Sequence, residues 1–282
     1  MAEFIPAAKP LIGDEEREAV DRVLRSGMVA QGPEVAAFEE EFGAAMVDGR
    51  ACVAVNSGTS ALHIGLLASG VGAGDEVIVP SFTFAATGNS VALTGAKPVF
   101  ADVDPNTFCL DPASVEASIT ENTKGILPVH LYGLPANLDE IRAIADKHGV
   151  QLFEDCAQAH AASINGKHVG TFGTFGAFSF YPTKNLGAVG DGGAVVLAAD
   201  AAAQELRAIL LRRDLPALYT RMIAAIRAGL GEPRQDPGAI AAEASVTTTT
   251  LIAHPLHRAA RAAPAAPPAR ASRTTSGSRR CY

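Results

Sequence analysis

The chain has 282 residues, of which 48% are hydrophobic and 19% charged, with a formal net charge of −7. That length allows one large domain or two smaller ones around a substantial core, and the composition is that of a globular protein rather than a disordered or fibrous one. Four cysteines (Cys52, Cys109, Cys156, Cys281) without CxxC spacing exclude a disulfide scaffold and point to reduced thiols in a cytoplasmic protein.

In chain order, Asp14–Ser26 and Glu34–Phe42 read as amphipathic helices. From about residue 50, short apolar runs alternate with helical patterns. Cys52–Val55 is a predicted strand and Ser60–Ser69 a helix closed by Gly70. Glu76–Val79 is a strand, and Phe84–Leu93 a helix ending at Gly95. Pro98–Ala101 is a strand, after which Asp111 can cap a helix that has Pro112 at its first position. Gly125–Val129, Gln151–Asp155, Ala177–Phe180 and Ala194–Leu197 are further strands, with a helix over Leu138–His148. Strands alternating with helices of this length predict an α/β fold: a mostly parallel sheet with helices on both faces.

Past Arg213 the pattern degrades. Tyr219–Ala228 reads as a helix ending at Gly229, but Pro233 and Pro237 interrupt the next stretch, and residues 262–282 read as disordered by composition. Residues 1–211 carry 26 acids and 12 lysines plus arginines, a net −14; residues 212–282 carry 4 and 11, a net +7, with no lysine. This break predicts a main domain over 1–211 and an atypical Ala/Arg/Pro-rich tail over 212–282. The tail lacks the aromatics of a nucleic-acid binder and the amphipathic repeat of a membrane helix, so neither partner is expected.

A doubly wound sheet binds ligands at the carboxyl ends of its strands, where four candidate segments fall. Asn56-Ser57-Gly58-Thr59-Ser60 precedes a helix and can offer N–H groups and hydroxyls to a phosphate, or merely cap that helix. Glu154-Asp155 closes an apolar strand with Gln158 and His160 just beyond; a carboxylate there needs a partner, either a protonated pyridine nitrogen or an arginine. Pro80-Ser81-Phe82-Thr83-Phe84 puts two aromatics at the same edge, to stack on a flat cofactor or to fill core. Ser179 is a further phosphate donor, five residues before Lys184.

Lys184 is one of six lysines and sits among apolar, aromatic and glycine residues, in Ala177–Gly187. In apolar surroundings a lysine amine is more readily neutral and able to attack a carbonyl; the alternative is an amine snorkelling from a loop. Gly190-Asp191-Gly192-Gly193 precedes a strand and reads as a turn. His130, His148, His160 and His168 lack metal-ligand spacing, and most of them read as surface or turn histidines. No GxxxxGK[ST], GxGxxG, HExxH or GxSxG signature is present.

In this order, these pieces resemble the DegT/DnrJ/StrS family of PLP-dependent sugar aminotransferases, which have the aspartate-aminotransferase fold. The matching stretches include Gln31-Gly32-Pro33, Asn56–His63, Gly74–Phe84, Pro98–Asp104, Pro128–Gly133, Glu154–His160 and the lysine segment, within about residues 4–210. The resemblance implies that Lys184 forms an internal aldimine with pyridoxal 5'-phosphate and then moves a proton as base and acid. It implies that Asp155 keeps the pyridine nitrogen protonated, that Gly58, Thr59 and Ser179 bind the phosphate, that Phe84 stacks on the ring and that Gln158 lies near the phenolic oxygen. Gln31 and Tyr181 are candidate substrate contacts. The implied partners are a glutamate or glutamine amino donor, a keto sugar that is typically nucleotide-linked, and a second copy of the chain in a homodimer. Relatives with histidine at the lysine position are dehydratases, so lysine favours transamination.

Family members continue past the lysine to a GYNxRLxExQAA segment and a C-terminal small domain, and nothing in residues 212–282 fits either. The small domain is therefore expected to be missing or replaced, with the tail an out-of-frame or scrambled stretch of a GC-rich gene. The alternative to an active enzyme is a truncated or frameshifted remnant of the fold, without catalytic activity.

Overall fold

The computed structural model describes residues 10–198. Helices α1 (Asp14–Ser26) and α2 (Pro33–Met46) come first. They are followed by β1 (Ala51–Val55), α3 (Gly58–Ala68), β2 (Glu76–Pro80), α4 (Ala86–Leu93), β3 (Lys97–Ala101), α5 (Pro112–Ser118) and β4 (Thr123–Ile126). Then come α6 (Leu138–His148), β5 (Gln151–Asp155), the short strands β6 (Ser163–Ile164) and β7 (Lys167–His168), β8 (Phe175–Ser179) and β9 (Gly193–Leu197).

Seven strands form one sheet in the order β1-β9-β8-β5-β4-β2-β3. Every neighbouring pair from β8 to β3 is parallel, and β9 alone runs against its neighbours β8 and β1. Successive side chains on a strand face opposite ways, so the sheet sorts its residues into two cores. Phe153, Phe175, Ala177, Val77 and Val79 pack under Ala61, Leu62 and Leu66 of α3 and Val91 of α4. On the other face, Phe178 and Val196 meet Phe38 and Phe42 of α2, while Ile78, Ile126 and Leu152 meet Val115 of α5 and Leu138 and Ile141 of α6. The architecture is therefore α/β, mostly parallel, with helices on both faces, as the alternation of patterns predicts.

Local chemistry sets the element ends. Asp111 caps α5 by accepting the Ser114 N–H (3.0 Å), with Pro112 next. Gly149 closes α6 at φ 66°. Strand β4 stops short of the predicted Val129: Leu127 still donates to Ile78 O, but Pro128 has no N–H with which to continue the ladder. Strand β8 begins two residues before the predicted Ala177, because pairing with β5 recruits Phe175 and Gly176 despite their loop-like context. Helix α4 starts at Ala86 and not Phe84. The predicted boundary near residue 211, the Tyr219–Ala228 helix and the basic tail lie outside the described residues.

Candidate active site

The carboxyl ends of β5 and β8 lie side by side, with Asp155 opposite Ala177 in the register. Strand alternation points Asp155 and Ser179 to the α3/α4 face and sends Glu154 to the opposite one. Asp155 is 4% exposed. Its Oδ1 accepts the Ala157 N–H (3.1 Å) and its Oδ2 the Thr87 hydroxyl (2.9 Å). Burial raises its pKa above the ordinary carboxylate value, opposed by these two donors and by the charge of Lys184. No arginine pairs with it among the described residues.

Lys184 is half-buried in a tight loop after β8. Its own N–H donates to Tyr181 O (2.8 Å), and Ala188 N–H closes the loop on Phe180 O (2.7 Å). Gly187 is required there, since a Cβ would sit 2.6 Å from Pro182 O. The Lys184 amine lies close enough for its charge to act on both Asp155 and His160.

The phosphate candidates converge. Ser57 is the N-cap of α3 and accepts the Ser60 N–H (3.1 Å), so its hydroxyl serves the helix. Gly58 and Thr59 then occupy the first turn, where backbone N–H groups are free and the helix dipole is positive. Gly58 presses on Ser179: a Cβ at residue 58 would lie 2.7 Å from that of Ser179. Gly193 presses on the backbone of Ser57 and Gly58 from β9. The glycine run before β9 is thus a turn, with Gly190 at φ 120°, and also a support for this loop, a role the sequence pattern does not separate from the turn.

The remaining predicted residues border the same end. Phe82 packs against Phe108 with centroids 5.8 Å apart, whereas Phe84 is 74% exposed, which distinguishes two aromatics that are equivalent in sequence. Phe84 O accepts the N–H of Thr87, tying this aromatic loop to the residue that holds Asp155. Gln158 is half-buried, and its Oε1 accepts the N–H of Tyr132, a residue at φ 53°. Tyr181 is 52% exposed beside the lysine loop; Gln31 is exposed in the α1–α2 connection.

The reading of the histidines is partly overturned. His148 and His168 do pair with surface acids, Glu116 and Asp48. His130, however, is fully buried: Nδ1 accepts the Ala136 N–H (3.0 Å), so the neutral ring carries its proton on Nε2 and donates it to Glu154 Oε2 (3.2 Å). Glu154 also takes the N–H groups of Gly170, Phe172 and Gly173, each at 2.7 Å. Both ring nitrogens of His160 are buried, and its ring lies among Phe42, Phe178 and Phe180. Burial, with the Lys184 charge, lowers its pKa to about 4 against weaker opposing contacts from Asn185 and the Ser179 backbone. Although His130, Glu154 and Cys156 offer ligand atoms within 4.8 Å of one another, they do not fit a metal. The histidine nitrogens and the carboxylate are committed, and burial with the neighbouring acids lifts the Cys156 thiol well above its ordinary value.

The model of the DegT/DnrJ/EryC1/StrS aminotransferase family matches residues 10–214, which include this whole site. The chain belongs to that family. Among DegT/DnrJ/EryC1/StrS relatives it is 55% identical over 190 residues to the erythromycin biosynthesis sensory transduction protein EryC1 of Saccharopolyspora erythraea, covering 67% of this chain and 52% of the relative. It is 47% identical over 203 residues to the dTDP-3-amino-3,4,6-trideoxy-alpha-D-glucose transaminase of Streptomyces venezuelae, covering 72% and 53%. The fold matches that of NtdA from Bacillus subtilis with bound cofactor PMP, at a TM-score of 0.63 and 36% identity over 69% of this chain and 45% of that one. The chain thus spans about half the length of the relatives it matches.

Proposed function

We propose that this chain carries the pyridoxal 5'-phosphate site of an aminotransferase that moves an amino group from glutamate or glutamine to a keto sugar of the nucleotide-linked class named in the Streptomyces relative. The observation that carries this reading is Asp155, a buried carboxylate at a strand end that, among the described residues, has two hydrogen-bond donors, spare acceptor capacity and no bonded cation. A protonated ring nitrogen would supply that cation. When bound, the cofactor supplies an electron sink for the carbon from which a proton is removed. The first-turn N–H groups of Gly58 and Thr59 and the Ser179 hydroxyl would receive its phosphate. Phe84 would cover the ring, and Gln158, fixed by the Tyr132 N–H, would stand near the phenolic oxygen. Lys184 Nζ would hold the cofactor covalently and, once released, take a proton from the donor's α-carbon and deliver it to the cofactor carbon that the lysine had held.

This reading places the protein in the cytoplasm as a homodimer. Its test is the visible spectrum of the full chain with added PLP, before and after glutamate or glutamine. The expected result is a visible band that changes on adding the donor and that Lys184→Ala abolishes. A band that survives Lys184→Ala unchanged removes Lys184 from the role; a folded wild-type chain that gains no band favours the inactive-remnant reading.

A further inference from the structure

Asp155 depends on a second residue, one that no sequence motif marks. Thr87 lies on α4, 68 positions away in sequence, is 1% exposed, and places its Oγ1 2.9 Å from Asp155 Oδ2. Its hydroxyl is also 2.9 Å from Thr83 Oγ1, in the loop that carries Phe84. A hydroxyl has one proton to donate. With Asp155 ionised, Thr87 spends that proton on the carboxylate and must therefore accept from Thr83. The chain then has one direction, Thr83 to Thr87 to Asp155. Were Asp155 protonated, its own proton would have to be placed against Thr87 and both hydroxyls would have to turn round, or be placed toward the cofactor side.

We propose that Thr87, backed by Thr83, is a positioning residue that keeps the buried Asp155 carboxylate ionised and aims its unused lone pairs into the cofactor site. A hydrogen bond from a hydroxyl to a charged acceptor is strong in a buried setting, and two hydroxyls in series polarise each other. This is one of three supports for the charge. Ala157 N–H holds the other oxygen, and the charge of Lys184 acts from the loop after β8. Cys156, the titratable neighbour on the same segment, is neutral and gives no help. The threonine also fixes orientation, because the Thr87 N–H donates to Phe84 O and so couples the carboxylate to the aromatic that would cover the ring.

The inference rests on the proposed cofactor site, so its test begins without cofactor. In the PLP-free full chain, the 13C signal of the Asp155 carboxyl, assigned by its loss in Asp155→Asn, is followed against pH. Thr87→Val keeps the shape and removes the hydroxyl, and is expected to move the titration to higher pH; Thr87→Ser is expected to restore it. Thr83→Val is expected to move it the same way by less, and because Thr83 is only half-buried this variant serves where Thr87→Val does not fold. With PLP added, Thr87→Val should bind about tenfold more weakly, the loss of a charged hydrogen bond, and Thr87→Ser should bind as wild type does. A folded Thr87→Val or Thr83→Val chain whose Asp155 titrates as in wild type overturns the proposal. If the wild-type chain binds no PLP, the cofactor reading fails while the titration still decides the hydroxyl chain.

Discussion

Glu154 and Asp155 are adjacent in sequence, and the strand turns them to opposite sides of the sheet. Asp155 keeps acceptor capacity for a ligand; Glu154 uses its own on the protein, on three backbone N–H groups of the loop before β8 and on His130 Nε2–H. Both side chains of the Glu154–His130 pair are fully buried. Glu154→Ala would leave those donors without an acceptor, at a cost of about 3–5 kcal/mol. Glu154→Gln, which keeps one acceptor oxygen, should cost less. Urea unfolding of the full-length variants measures both; a Glu154→Ala loss below about 1 kcal/mol would mean that water satisfies the loop and that Glu154 is not its anchor. In sequence the two acids are equivalent, since a strand's period of two says that they face apart but not which faces the site. The family resemblance names Asp155, and pairing with β8 puts that side chain on the α3/α4 face.

At the scale of elements, α3 lies close on β8. A Cβ at Gly65 would come 2.5 Å from the Phe175 ring, which is fully buried and stacks with Phe153. Alanine is favoured over glycine inside a helix by about 1 kcal/mol, but overpacking a core costs about 1–3 kcal/mol. Gly65→Ala should therefore be net destabilising, by up to about 2 kcal/mol. Gly72→Ala, which meets nothing within 4 Å, should stay within about 0.5 kcal/mol of wild type. Thermal unfolding of the two variants separates close packing from glycine content; equal midpoints would contradict the close approach. The elements themselves are largely legible in the sequence because apolar runs and caps such as Asp111 act locally. The hairpin of β6 and β7 escapes that reading although Asn165-Gly166, both at positive φ (52° and 82°), is a strong two-residue turn signal. Its strands are two residues long, too short for alternation to register. The aminotransferase-like order of motifs is legible for the same local reason, whereas Thr87 is not: nothing in the sequence brings a threonine on α4 to a carboxylate 68 residues on.

For the molecule as a whole, the buried histidine sets an expectation for acid. His160 has a pKa lowered to about 4 by burial and by the nearby Lys184 charge, so below its ordinary value of 6.5 the unfolded chain takes up a proton that the folded one refuses. Stability is then lost progressively as pH falls from about 6.5 toward 4, by about 3 kcal/mol in all. His63, lowered mainly by its own burial, acts in the same sense. Asp155 opposes them: burial raises its pKa, so the folded state holds a proton longer and gains stability as pH falls through that raised range. The paired surface acids, among them Glu34, Glu76 and Glu116, have lowered values and withdraw stability only as pH falls below the ordinary carboxylate range. The two sets of groups therefore act in separate windows, and the upper one belongs mainly to His160. His160→Phe suits the surrounding Phe42, Phe178 and Phe180 rings and has no proton to take up, so urea unfolding at pH 7, 5.5 and 4.5 should show a shallower decline than wild type. An equally steep decline in the variant would place the acid sensitivity in another group, with Asp155 excluded by its sign.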